Sequence, residues 1–180
     1  MANEKFLQAI EAYIDETEMK MDTFLRFFCS GLQREIMRRN PVLTGFSRAS
    51  WYTSVDRSAP GPEVGMVDNP HYKQKFPGGG IDYRKQVPDA KAAKGQSQRQ
   101  TYNERKKIRA GKIVYIMNNC VYIRVLEYES KHQGFVRDAV SSAARIGQEA
   151  LAKCTNMNKS QLNSYVIPTE FDPATLPDGE

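Results

Sequence analysis

"KIVYIMNNCVYIRVLEYES", residues Lys112 to Ser130, sets two β-rich runs, Ile113 to Met117 and Tyr122 to Tyr128, around the pair Asn118-Asn119. Asparagine tolerates left-handed turn geometry, so the stretch predicts an antiparallel hairpin. The pattern changes on either side of it. Upstream, apolar residues from Asn3 to Arg39 recur at spacings of three, four and seven (Phe6, Ile10, Ile14, Met21, Phe24, Phe28), which predicts one amphipathic helix. Asn3 suits its N-cap, and Arg34, Arg38 and Arg39 crowd the end where the helix dipole favours cations. Pro41 biases Asn40 away from helical geometry and ends it. A helix of that length is about 55 Å long at 1.5 Å per residue, more than a small domain is wide. It must therefore kink near Ser30-Gly31 or project toward a partner.

Downstream of the hairpin, "GFVRDAVSSAARIGQEALAKC" (Gly134 to Cys154) places Val136, Ala139, Val140, Ala143, Ile146 or Gly147, Ala150, Leu151 and Cys154 on one helical face and predicts a second helix packed on the sheet. "SRASWYTSV" (Ser47 to Val55) predicts a further strand, and "EVGMVDN" (Glu63 to Asn69) a short one. "TYNERKKIRAG" (Thr101 to Gly111) reads as a short basic helix closed by its glycine. The expected class is α+β within a single domain, residues 1–180: a long helix over 3–39, then a sheet-and-helix core over 46–155. That core holds an antiparallel sheet of three to four strands and carries a long basic insert, 57–112, and an extended C-terminal tail, 156–180, completes the chain.

The chain of 180 residues carries a net charge of +5, unevenly placed. Residues 71–112 hold twelve basic and three acidic residues, a local +9, which leaves −4 for the remainder. Lys73, Lys75, Arg84, Lys85, Arg105, Lys106, Lys107 and Arg109 are the candidate partner- or DNA-facing cations of this insert, because Lys and Arg serve carboxylate and phosphate alike. With Tyr72, Tyr83 and Tyr102 interleaved, the insert also suits a non-specific nucleic-acid-binding protein.

Chemistry is sparse. Three cysteines, Cys29, Cys120 and Cys154, lack any paired spacing and only two histidines are present, which disfavours a disulfide framework and a zinc site. "PGGG" at 77–80 lacks the Lys-Ser/Thr of a phosphate loop. Cys120, Glu127 and His132 lie near one another in the sequence, but nothing there lowers the thiol pKa. Glu127 and Glu129 share one strand face without an acidic metal site beside them. The expectation is no catalytic residue, no cofactor and no metal, and no run of apolar residues is long enough to span a membrane.

Two stretches carry a resemblance. "PVLTGFSRASW" (Pro41 to Trp51) offers Pro41, Thr44, Gly45, Arg48, Ser50 and Trp51 after a long helix; "IMNNCVYIRVLEYESKHQGFVRDAV" (Ile116 to Val140) offers Asn118 or Asn119, Tyr122, Glu127, Tyr128 and Gly134 before another. In this order and frame, over roughly residues 1–155, they resemble the neck or tail-completion (head-tail joining) proteins of long-tailed bacteriophages, the group that includes the minor tail protein Z relatives. Glu129 stands where that family usually has glycine, and the insert is longer than the family pattern. The resemblance implies a non-catalytic virion protein, made in the bacterial host cytoplasm. It would form a homo-oligomeric ring of about six or twelve copies, by analogy with neck symmetry, against neighbouring neck, head-completion or tail-terminator proteins, with genomic DNA passing through the channel. Pro41, Thr44, Gly45, Arg48, Trp51, Tyr122, Glu127 and Tyr128 are then its structural or interface motif.

Overall fold

The computed structural model describes residues 2–42, 45–57, 66–68, 86–120, 122–131 and 133–164. Along the chain these form α1 (Ala2–Arg39), α2 (Phe46–Ala49), β1 (Trp51–Val55), β2 (Met66–Asp68), β3 (Gln86–Pro88), α3 (Ala90–Arg105), β4 (Val114–Asn118), α4 (Ile123–Tyr128), α5 (Phe135–Val140), α6 (Ala143–Thr155) and α7 (Lys159–Ser164). Helix and sheet are mixed, and the long N-terminal helix runs unbroken for 38 residues, with no interruption at Ser30-Gly31.

The sheet differs from expectation. β1 pairs antiparallel with β4, from Trp51 opposite Asn118 to Val55 opposite Val114. β2 and β3 form a separate antiparallel pair, so the described residues hold two two-stranded sheets in place of one sheet of three or four strands. Of residues 122–128, expected as a strand, 123–128 are helical and Tyr122 is the N-cap. The local alternation that suggested a strand loses to packing, because Ile123 and Leu126, one helical turn apart, both face the cluster of Ile36, Met37, Trp51 and Phe135. Residues 47–49, also expected in a strand, lie in the single turn of α2, which starts from Gly45 at φ 77 and is held by a Ser50 hydroxyl donating to the Phe46 carbonyl at 2.8 Å.

β1 is buried along its whole length, and among the described residues it is α3 that covers the edge β4 leaves open. The Thr53 amide donates to Thr101 Oγ1 at 3.1 Å and the Val55 amide to Glu104 Oε2 at 3.0 Å. Two side chains of α3 thus take the donors that another strand would have used. α3 is longer than the expected basic helix: Asp89 caps its start by accepting from the Ala92 amide at 2.7 Å, and it ends at Arg105, well before Gly111. Ala93, Ser97, Thr101 and Glu104, at spacings of four, four and three, form its buried face.

The C-terminal helical stretch is broken at Ser141-Ser142 into α5 and α6. α5 sets Phe135 edge-on to Trp51, with ring centroids 6.4 Å apart. α6 lies mainly along α1, not on the sheet, and runs antiparallel to it, since Arg145 pairs with Glu35 while Lys153 sits over Phe27. The two helices approach closely where Gly31 faces Ile146; a Cβ at Gly31 would lie 2.6 Å from Ile146 Cγ2. The tail expected to be extended from residue 156 forms a helix, α7, over Lys159–Ser164; residues beyond 164 and insert residues 58–65 and 69–85 fall outside the described residues.

Candidate interaction surfaces

The stretch after α1 is a structural junction. Asn40 is buried, and its side-chain oxygen accepts from Trp51 Nε1 at 2.9 Å and from the Ser47 hydroxyl at 3.1 Å. Arg48, also buried, donates to the carbonyls of Asn40 at 3.3 Å and Arg38 at 3.5 Å, so its guanidinium caps the carboxyl end of α1. Trp51 is 6% exposed. Gly45 supplies the left-handed turn, and Thr44 lies outside the described residues.

The second motif is a junction as well. Glu127 accepts the Gly134 amide on its carbonyl at 2.7 Å and the Val136 amide on its carboxylate at 3.0 Å. It thereby caps the start of α5, where a negative charge suits the exposed amides. Gly134 stands at φ 81 before that helix. Tyr122 packs tilted against Phe46, centroids 6.4 Å apart. Among the motif residues placed by the structure, Tyr128 is the one largely open to solvent.

Beneath these junctions runs a polar network that the sequence did not advertise. Gln33 donates to the Trp51 carbonyl at 3.1 Å, and its oxygen accepts from the Thr53 hydroxyl at 2.8 Å and from Arg105 at 2.8 Å. The charge of Arg105 is thus placed between α1, β1 and α3. Only the i, i+4 and i, i+3 spacing of Ser97, Thr101 and Glu104 hinted at a polar inner face on α3.

The basic insert changes character in the structure. Arg105 is 4% exposed and points inward, not toward a partner. Lys106 lies over the Tyr102 ring at 3.8 Å, and Lys107 pairs with Glu104. Arg109 pairs with Asp22 of α1 at 3.0 Å, beside the Ala110 amide donating to the same carboxylate at 2.9 Å. Lys112 pairs with Asp56 at 2.7 Å. Lys73, Lys75, Arg84 and Lys85 lie outside the described residues.

Cys120 is buried in an apolar cluster with Phe46, Ala49 and Ala93, Glu127 is committed to α5, and His132 is not described. All three cysteines are buried and none is in a disulfide, and burial raises the Cys29 thiol to about 11. Among the described residues no cluster of His, Cys, Asp or Glu could hold a metal, and no helix is long and apolar enough to cross a membrane.

What remains open is a helix face. Residues 7–15 of α1 are exposed on every side, and Leu7, Ile10, Tyr13, Ile14 and Met21 leave large apolar groups in water. Leu7 is 56% and Tyr13 72% exposed. No family model, curated protein or solved structure matches this chain.

Proposed function

We propose that this chain is a non-catalytic structural subunit of a bacteriophage virion, assembling as a homo-oligomeric ring in the neck that joins head to tail. The observation that carries this reading is the open apolar face on the first half of α1. A soluble monomer rarely leaves a contiguous run of large apolar side chains in water, and such a run marks a protein contact. The motif residues that prompt the family comparison support it in a second way: Arg48, Trp51 and Glu127 lock helix ends and strand together, giving a rigid body from which the helix extends.

A nucleic-acid-binding role through the basic insert has less support. The cations at 105–112 are spent on acceptors and a ring within this chain, which leaves fewer of them for phosphate. Electron cryomicroscopy of the particle tests the proposal directly. Ring density at the head-tail junction that accepts this fold, with loss of joined particles when the chain is depleted, is the expected result. Complete, infectious particles assembled without the chain would overturn it.

A further inference from the structure

One stripe along α1 follows a strict heptad rule. Leu7, Ile10, Ile14, Thr17, Met21, Phe24, Phe28 and Gly31 alternate at spacings of three and four, the a and d positions of a coiled coil. The end of this stripe is already used as a helix-packing seam: Phe28 faces Gly147 and Gly31 faces Ile146 on α6, while Phe24 stacks on Phe28 with centroids 6.1 Å apart. α6 ends at Thr155. α7 also meets α1, yet Leu7, Ile10, Ile14, Thr17 and Met21 stay exposed. The same seam therefore continues from Met21 back to Leu7, uncovered by the described residues.

We propose that residues 7–21 of α1 pair in parallel with the same residues of a second copy of this chain. The charges beside the seam select both occupant and direction. Glu11 and Glu18 hold the e positions, and Tyr13 and Lys20 the g positions. In an antiparallel pair e faces e, so the glutamates of the two copies would oppose one another; in a parallel pair e faces g, and Glu18 meets the partner's Tyr13 instead. An anionic lipid surface is disfavoured by the same acids, since helices that lie on membranes carry basic flanks. A strict repeat of seven asks for a helix as its partner, because it keeps a single stripe facing another only by supercoiling. The body already holds α1 helical, which removes the nucleation cost that would defeat so short a segment alone. Copies related by rotation about one axis also carry such helices in parallel. The inference rests on the ring reading and names a two-copy contact within it: with the same residues on both sides it closes around a two-fold axis and would join ring subunits in pairs.

Because the native thiols are buried, single cysteines placed on α1 of the full chain report the geometry. On mild oxidation of the concentrated protein, Leu7→Cys, Ile14→Cys and Met21→Cys should each give disulfide-linked dimers, and Ala12→Cys, on the opposite face, should give at least tenfold less. Ile10→Glu combined with Ile14→Glu should abolish the cross-link and any dimer seen by sedimentation while leaving the melting curve in place, since neither side chain belongs to the core. Cross-linking at Ile14 but not at Leu7 or Met21 would mean an antiparallel pair and overturn the proposal. Equal yields at all four positions, or a monomer at every concentration, would also overturn it and leave the seam to a different protein. Failure here with ring density still present in the neck would remove this contact and not the functional reading. Success with no copy in the particle would do the reverse.

Discussion

The side-chain oxygen of Asn40 takes two buried donors, the Trp51 indole and the Ser47 hydroxyl, so its loss would strand both. Asn40→Ala should lower stability by about 1–3 kcal/mol, the cost of unpaired buried donors, and Trp51→Ala by about 3–5 kcal/mol, as for other large core truncations. Urea midpoints check both values. As the only tryptophan, Trp51 also reports its own burial: emission should be blue-shifted and poorly quenched by acrylamide. Glu35 supplies a pH signature. The hydrogen bond from Arg38, aided by Arg39, holds its carboxyl near about 2 against an ordinary 4.5, in spite of the opposing effect of burial. A carboxyl whose folded pKa is depressed contributes stability that is complete above its unfolded pKa and is lost as pH falls toward the folded one. Glu35→Gln should therefore flatten the decline in urea midpoint between pH 4.5 and about 2, with no change of slope near neutrality. Glu104, lowered chiefly by Lys107 and the Val55 amide against its own burial, should keep part of that decline in place.

Among the elements, the α1–α6 crossing depends on a missing side chain. Gly31→Ala gains helix propensity of about 1 kcal/mol but drives a methyl into Ile146 Cγ2, and overpacking of that kind costs about 1–3 kcal/mol. The substitution should lower the urea midpoint in the native background and raise it in an Ile146→Ala background. The same sign in both would show that the crossing is not tight. Periodicity revealed the elements whose environment is one-sided. α1 was legible nearly to its ends and β4 lies one residue from its expected position; of the expected stripe on α5 and α6, Ala139, Ile146, Ala150 and Cys154 are buried, whereas Val140 and Leu151 are exposed. Segment 122–128 was not legible, because Tyr122, Ile123, Val125 and Tyr128 favour a strand locally while the core asks for Ile123 and Leu126 on one side. Nor was the partner of β1, since pairing across residues 56–113 leaves no local trace. At the junctions, Gly45, Arg48, Trp51 and Glu127 stood out in the sequence, but their use as caps and anchors required knowing which helix ends meet there. Gln33, Thr101 and Glu104 look like surface residues until α3 is laid along β1.

At the scale of the whole molecule, several of the described charges hold segments to one another. Arg105→Met should cost about 1.5–3 kcal/mol, the range for a buried hydrogen bond from a charged donor, whereas Lys91→Gln with Arg99→Gln, both exposed, should stay within about 0.5 kcal/mol of the parent. Thermal melts in matched buffer check the contrast. If Arg105→Met melted like the parent, the network around Gln33 would contribute little to the fold.

β1 and β4 pair directly, and the Asp56 amide donates to the Ile113 carbonyl at 2.9 Å beneath the Lys112–Asp56 ion pair. Everything between 57 and 112 thus leaves and re-enters through one narrow gate, as the loop of an oversized hairpin. Such a loop invites excision: a two-residue turn would reconnect the strands without strain. Yet the excised piece contains Thr101 and Glu104, so the shortened chain would bare the Thr53 and Val55 amides along an unguarded edge, a template on which further strands add. The minimal version of this protein should therefore be soluble only when α3 is supplied back as a separate peptide, and should otherwise aggregate into β-rich material that binds thioflavin T.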